Sequence, residues 1–475
     1  MRKAWAARAR AAAGIATLAL VLAAQPSAAW AGATLGWRMD GNGAFPDADP
    51  PLEWSTSRDV AWATPMPSWS NASPVLVQDR GLVASEPDRL LCVRKSDGAL
   101  LWERANPLAD AIPAPSPRPA MLDAMTATAK TAAALGEEER ELTRLRHELR
   151  RAPDETALQS RIEALAAQVA KTRHLLGSLL IAKPEGVTEA TGFSSPTPVT
   201  DGKVVYALFG TGVAASYDAD GRRRWIRYLD HSQVGDGAAS SPVLVGDTLV
   251  VSINELMGLD AATGAVRWRA PVPYRPGTPA AVRIGDVDVV VTPTGHCVRV
   301  ADGEILASGI GNLDFASPVV QDGVLYMIAQ PSRAFRIPTA LTEPLAFEPL
   351  WSARVKGERY YASPLVAGGL VYAITRGQIL NVLDAASGEL VYATRLKLGW
   401  AGASDSVFSS PTLGGGHVFV SGFSGTTAVV PLGRTFAQVA SNELEKFRSC
   451  PVFEGSRIYV RGATKLWCLA KGARP

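Results

Sequence analysis

A Ser-Pro or Thr-Pro pair recurs along this chain every 37 to 47 residues from Ser195 onward, and that period restricts the fold to a ring or stack of small sheets. Each pair opens the same order of features. A short apolar run leads to Gly or Asp-Gly, then a second apolar run, then Asp-x-x-Thr/Ser-Gly, then Trp or Tyr. The clearest copy starts at Ser241-Pro242 and runs through Val243, Gly246-Asp247 and Leu259-Asp260-Ala261-Ala262-Thr263-Gly264 to Trp268. Others start at Ser73-Pro74, Ser195-Pro196, Thr278-Pro279, Ser317-Pro318, Ser363-Pro364, Ser410-Pro411 and Cys450-Pro451, which makes eight.

The apolar runs are rich in Val, Leu, Tyr and Phe and are bounded by Gly, Asp and Pro, as strands are. Four short strands per repeat predict a propeller blade. The Asp-x-x-Thr-Gly glycine suits a tight turn between two antiparallel strands. Trp102, Trp225, Trp268 and Trp351, with Tyr392 as a substitute, would pack between neighbouring sheets. The last repeat lacks a fourth strand, whereas Asp59-Val60-Ala61-Trp62 is a strand-and-Trp unit with no repeat before it. The N-terminal strand is therefore expected to complete the last blade, which would leave no open sheet edge. The expected fold is all-β: an eight-bladed β-propeller with one α-helical insertion.

These residues resemble the PQQ-like β-propeller repeat family, named for quinoprotein dehydrogenases although most of its members are not quinoproteins. The stretch Gly36-Trp37-Arg38-Met39-Asp40-Gly41-Asn42-Gly43 through Pro51-Leu52-Glu53-Trp54-Ser55 looks like the "WxxxRGxxGxG…LPLxWS" lead-in of exported bacterial members. Thr197-Pro198-Val199-Thr200-Asp201-Gly202 followed by Ala207-Leu208-Phe209-Gly210 also resembles that subgroup. The resemblance implies a quinoprotein-dehydrogenase-like propeller and says little about activity. Quinoprotein dehydrogenases carry an adjacent cysteine pair over the cofactor, and this chain has none, nor a c-type haem motif. No cofactor is expected, PQQ included. The outline is also similar to the propeller that helps outer-membrane protein assembly, but no cysteine stands at a lipid-attachment position.

The first interval, Ser73 to Ser195, is far longer than a blade. A Pro-rich linker at 106–119 is followed by Leu135, Leu142, Leu145 and Leu149 at heptad spacing. Beyond Ala152-Pro153-Asp154 come Leu158, Ile162, Leu165, Val169, Thr172, Leu176 and Leu179. Such spacing predicts an antiparallel helical hairpin, roughly 120–151 and 154–180. It is either self-contained, each seam burying the other, or a docking arm for a partner or for self-association. The expected organisation is a signal peptide at 1–31, lead-in and first blade at 32–106, linker and hairpin at 107–184, and the remaining blades at 185–475.

Arg2, Lys3, Arg8 and Arg10, an apolar run at 11–24, and Ala29-Trp30-Ala31 form the layout of a secretory leader. Without those four cations the formal charge of +3 falls to −1, which lacks the footprint of a nucleic-acid binder. No later segment is apolar enough to span a membrane. The chain is thus expected to be periplasmic or secreted.

Cys92, Cys297 and Cys468 occupy one repeat position on three blades and cannot all pair. A Cys450–Cys468 bridge stays open beside four buried free thiols. No CxxC or His cluster points to a metal. Loops entering the innermost strands line one mouth of the central channel, where propellers bind ligands. Trp69, His231, Arg359, Tyr360 and Tyr361 are the ligand-binding candidates there, since aromatics beside a cation suit a polar or sugar-like ligand. No catalytic set can be placed. The expected function is a binding or scaffold propeller with a protein partner at the cell envelope. The alternative is an enzyme, a quinone-dependent oxidoreductase or a hydrolase, working at the channel mouth.

Overall fold

The computed structural model describes residues 35–112, 119–149, 155–181, 191–230, 232, 238–355, 357, 359–399 and 406–473; the expected leader lies outside them. Eight sheets are arranged as blades, each built on a four-stranded antiparallel meander, and one of them carries a fifth, parallel strand from the lead-in. Blade 3 is representative: Val243–Val245, Thr248–Ser252, Leu256–Asp260 and Val266–Ala270, paired in that order from the axis outward. The innermost strands of successive blades touch one another around the channel.

The eighth blade closes the ring. Its strands Val452–Glu454, Arg457–Arg461 and Lys465–Ala470 come from the end of the chain, and its outermost strand is Val60–Pro65. Trp62 pairs with Cys468 and Thr64 with Leu466 in an antiparallel ladder. The expected closure is borne out: Lys465–Ala470 is paired on both sides, and the chain's two ends are joined in one sheet.

A belt of hydrogen bonds at the repeat starts holds the blades together. The backbone N–H of Ser73 donates to Thr197 Oγ1 (3.1 Å), that of Thr197 to Ser241 Oγ (3.0 Å), and that of Ser241 to Thr278 Oγ1 (3.1 Å). The series continues from Thr278 to Ser317 Oγ (2.9 Å), Ser317 to Ser363 Oγ (2.8 Å) and Ser363 to Ser410 Oγ (2.9 Å). Ser410 donates to Cys450 Sγ (3.3 Å), and Cys450 donates to Ser73 Oγ (2.9 Å). All eight residues are buried, so each bond satisfies an amide that water cannot reach. The belt corrects one repeat start. In blade 2 the position belongs to Thr197, while the Ser195 hydroxyl bonds the Thr191 carbonyl and accepts from Asn71 Nδ2.

On the outer side, each Trp reaches the next blade. The indole N–H of Trp62, Trp102, Trp225, Trp268 and Trp351 donates to Lys95, Ala219, Ala261, Val300 and Ala385 carbonyls respectively, at 2.7–3.0 Å. The rings lie flat on that blade's turn glycine: a Cβ on Gly264 would sit 2.6 Å from Trp225. The repeat therefore needs glycine there for space as well as for its φ of 72°.

Two helices, Pro119–Leu149 and Thr156–Ile181, form the expected insertion within blade 1's connection to blade 2. They pack on each other, and Gln168 Nε2 donates to Glu138 Oε1 (3.2 Å), a pairing that an antiparallel hairpin requires. Leu142, Leu145, Leu158, Val169 and Thr172 are buried, so the predicted seam is the one used. The side chains of Leu176 and Leu179 are outside the described residues.

The lead-in crosses the channel end where the innermost strands finish. Leu35 exchanges backbone hydrogen bonds with Thr200 of blade 2, and Ala44–Phe45 pairs in parallel with Leu413 and Gly414 of blade 7. Met39 packs between them against Leu76 and Val452 of blades 1 and 8.

Candidate functional site

The opposite end of the channel, where the innermost strands begin, is open to side chains from the segment before each strand. The residue two positions ahead of the belt residue recurs in every blade. In blades 1 to 4 it is Asn71, Ser195, Ala239 and Pro276, all small or polar. In blades 5 to 8 it is Phe315, Tyr361, Phe408 and Arg448. One half of the mouth is therefore built differently from the other.

The four form a continuous stack across blades. Phe315 meets Tyr361 edge-on at 4.7 Å, and Tyr361 lies parallel to Phe408 at 5.0 Å. The Arg448 guanidinium sits 4.2 Å from the Phe408 ring centre and 4.6 Å from that of Phe423. Arg359 covers Phe315 at 5.3 Å, and Lys446 stands 6.0 Å from Phe423. The aromatic rings and Arg448 are half-buried, while Arg359 and Lys446 are exposed. Burial pulls the Arg448 pKa down from its ordinary value, so this cation faces a partly water-free environment. Such cation–ring pairs strengthen as they are desolvated. The arc is positively charged and aromatic, which suits contact with an anionic or aromatic group of a partner. Blade 5 also carries a hollow of about 340 Å³ lined by Gly311, Asn312, Met327, Gln330 and Arg333.

The sequence-predicted residues divide. Tyr361 and Arg359 belong to the arc. Trp69 stands half-buried on the other half of the mouth, against Gly192. Tyr360 requires correction: it is buried in the core between blades 5 and 6, where Asn381 Nδ2 donates to its hydroxyl (3.3 Å). His231 lies outside the described residues. Phe315, Phe408, Phe423 and Arg448 are not among the sequence-predicted residues, although the fixed offset from the Ser-Pro start locates three of them.

All four cysteines are free and buried, and Cys450 and Cys468 are not joined. The Cys450 thiol instead serves the belt as acceptor. Among the described residues no three His, Cys, Asp or Glu side chains converge as a metal site. No described helix is long and apolar enough to cross a membrane.

Residues 181–310 match a family model described as outer membrane protein assembly factor BamB. No curated protein matches the chain. Among solved structures, BamB from Moraxella catarrhalis is 15% identical, with 56% of this chain and 82% of that chain covered and a TM-score of 0.45. The quinohemoprotein alcohol dehydrogenase ADHIIG from Pseudomonas putida HK5 is 11% identical, with 90% of this chain and 79% of that chain covered and a TM-score of 0.50. The second likeness runs over nearly the whole ring and carries the fold alone. The chain is thus an eight-bladed propeller of PQQ-like repeats, with the matched stretch coinciding with blades 2 to 4.

Proposed function

We propose that this chain is an exported, non-catalytic propeller that binds a protein partner at the cell envelope through the channel mouth of blades 5 to 8. The observation that carries this reading is the Phe315–Tyr361–Phe408–Arg448 stack. Four blades place large aromatic or cationic groups at one repeat offset, whereas the other four use small or polar residues there. A closed ring needs no such asymmetry to fold. Half-buried aromatics with arginine are the residue types that concentrate binding energy at protein interfaces. The match of blades 2 to 4 to an assembly-factor family supports a binding role. The helical hairpin is a second candidate contact, although its buried seam leaves it stable without one.

A pull-down from envelope extract tests the reading. Wild type should retain a partner that a Phe408→Ser/Arg448→Ser double variant loses, with both proteins showing the same unfolding midpoint. Equal capture by the two would refute the mouth as the binding surface.

A further inference from the structure

We infer that the groove between blades 4 and 5 binds a small aromatic carboxylate, its ring against Phe335 and its acid group at Arg333. The groove shares no residue with the Phe315–Tyr361–Phe408–Arg448 stack, so the inference stands apart from the partner reading.

The register of the sheets explains why a groove opens there. In every blade one residue of the outermost strand pairs with the middle of the third strand. In blades 8, 1, 2, 3, 5 and 6 that residue is Trp62, Trp102, Trp225, Trp268, Trp351 and Tyr392. Blades 4 and 7 hold Ala307 and Ala440 instead, opposite Cys297 and Val429. The lead-in compensates blade 7. Trp54 stacks on Phe419 at 6.0 Å, in the cluster against which Ala440 packs. The cluster between blades 4 and 5, against which Ala307 packs, contains no Trp or Tyr among the described residues.

A hollow of about 320 Å³ is lined by Gly309, two residues past Ala307, and by Arg333, Phe335 and Pro349 of blade 5. Phe335 holds the register position that Tyr217 holds in blade 2, and Tyr217 meets the Trp102 ring of the preceding blade at 6.0 Å. From blade 4, the corresponding residue is Ala307. Arg333 lies two residues before Phe335 on the strand Ser332–Arg336, so both side chains leave the same face. Arg336 pairs with Glu348 (3.1 Å), whereas Arg333 is exposed and has no hydrogen bond or ion pair among the described residues. Arg333 and Gly309 also line the second hollow of blade 5, together with Asn312 and Gln330. Gln330 is held there, its Nε2 donating to the Val355 carbonyl (2.9 Å) and the Gly357 carbonyl (2.6 Å). An apolar wall thus meets a polar one, with an unneutralised guanidinium between them. Apolar walls with a few convergent polar groups are the usual make-up of a small-molecule site. A planar guanidinium matches a carboxylate through two parallel hydrogen bonds and repels a metal cation. A flat ring carrying an acid group satisfies both walls at once.

Crystals of the full chain soaked in para-bromophenylacetate should show the bromine in the hollow lined by Phe335 and Pro349. In calorimetric titration wild type should bind phenylacetate, whereas acetate, which lacks the ring, should not bind. Ala307→Trp supplies from within the chain the ring that other blades carry, and should abolish phenylacetate binding. Arg333→Gln removes an exposed cation with no partner among the described residues, so it should unfold at the wild-type midpoint. It should weaken phenylacetate by roughly threefold to tenfold and leave the neutral benzyl alcohol unaffected. That variant decides the matter should Ala307→Trp fail to fold. The proposal is overturned if bromine is found only elsewhere, if phenylacetate does not bind, or if either folded variant binds it as wild type does.

Discussion

The backbone N–H of Cys450 donates to Ser73 Oγ at 2.9 Å across 377 residues of chain, and this bond completes the belt of the propeller. Both groups are buried, so removing the acceptor leaves an amide with no water to replace it. Ser73→Ala should therefore cost about 1–3 kcal/mol in urea unfolding. Cys450→Ser restores the hydroxyl found at the other seven positions and should stay within about 1 kcal/mol of wild type. A Ser73→Ala variant as stable as wild type would show that the belt contributes little.

The Trp225–Gly264 contact gives a second test with an internal control. Gly246 and Gly264 both have positive φ, 59° and 72°, but a Cβ on Gly246 meets open space whereas one on Gly264 meets the indole. Gly246→Ala should cost only the backbone strain, about 1–2 kcal/mol. Gly264→Ala should add an overpacking penalty of about 1–3 kcal/mol. Matching unfolding midpoints would mean that the indole moves aside freely.

Asp384 in the blade 6 turn responds to acid in a predictable direction. Its hydrogen bond from Arg434, followed by that from the Ser387 N–H, holds its pKa at about 2, below the ordinary 3.8. A carboxylate depressed in the folded state stabilises it fully above the unfolded value. That contribution is lost as pH falls from about 4 toward 2. Because the group is close to solvent, high salt should diminish the effect. Carboxyl-carbon NMR should place the midpoint near 2, and a midpoint at or above the ordinary value would contradict the Arg434 contact.

Thiol chemistry should be silent until the fold opens. Burial pushes Cys92 and Cys297 up to about 12 and Cys468 to about 11, so none of the three supplies thiolate at pH 8. Native protein should react with a disulfide reagent at a rate set by unfolding, and denatured protein should yield four thiols. Intact mass under oxidising conditions should show no Cys450–Cys468 bond. Rapid labelling of one native thiol would reveal an opening that the packed blades do not provide.

The repeat count was legible because each blade's turns and strands are local, so a period in the sequence becomes a period in space. The blade 2 start is ambiguous in sequence because Ser195-Pro196-Thr197-Pro198 offers two Ser/Thr-Pro pairs, and only the cross-blade amide selects Thr197. Tyr360 and Tyr361 show where pattern reading stops. Adjacent residues in extended backbone point to opposite sides. One ring entered the core and the other the mouth, and composition could not choose between them. Phe315, Phe408 and Arg448 join one stack with Tyr361 only because successive blades set the same repeat offset side by side.

The hairpin can be removed without touching the propeller if the cut respects the residues that bind it to blade 2. Leu108 is buried, Asp110 pairs with Arg223 (2.8 Å), and the Tyr217 hydroxyl bonds Asn106. Across the gap, Glu86 accepts from the Phe193 and Ser194 amides. Replacing 113–184 by a flexible linker keeps all of these, and lengthening or shortening such a loop changes closure entropy only slowly. That variant should melt within a few degrees of wild type. Cutting from 107 instead strips Leu108 and Asp110 and should lower stability by about 1–3 kcal/mol. Size-exclusion chromatography on the shorter deletion then decides the hairpin's role. An unchanged number of chains per particle means its two seams satisfy each other, whereas a fall to monomer assigns self-association to the arm.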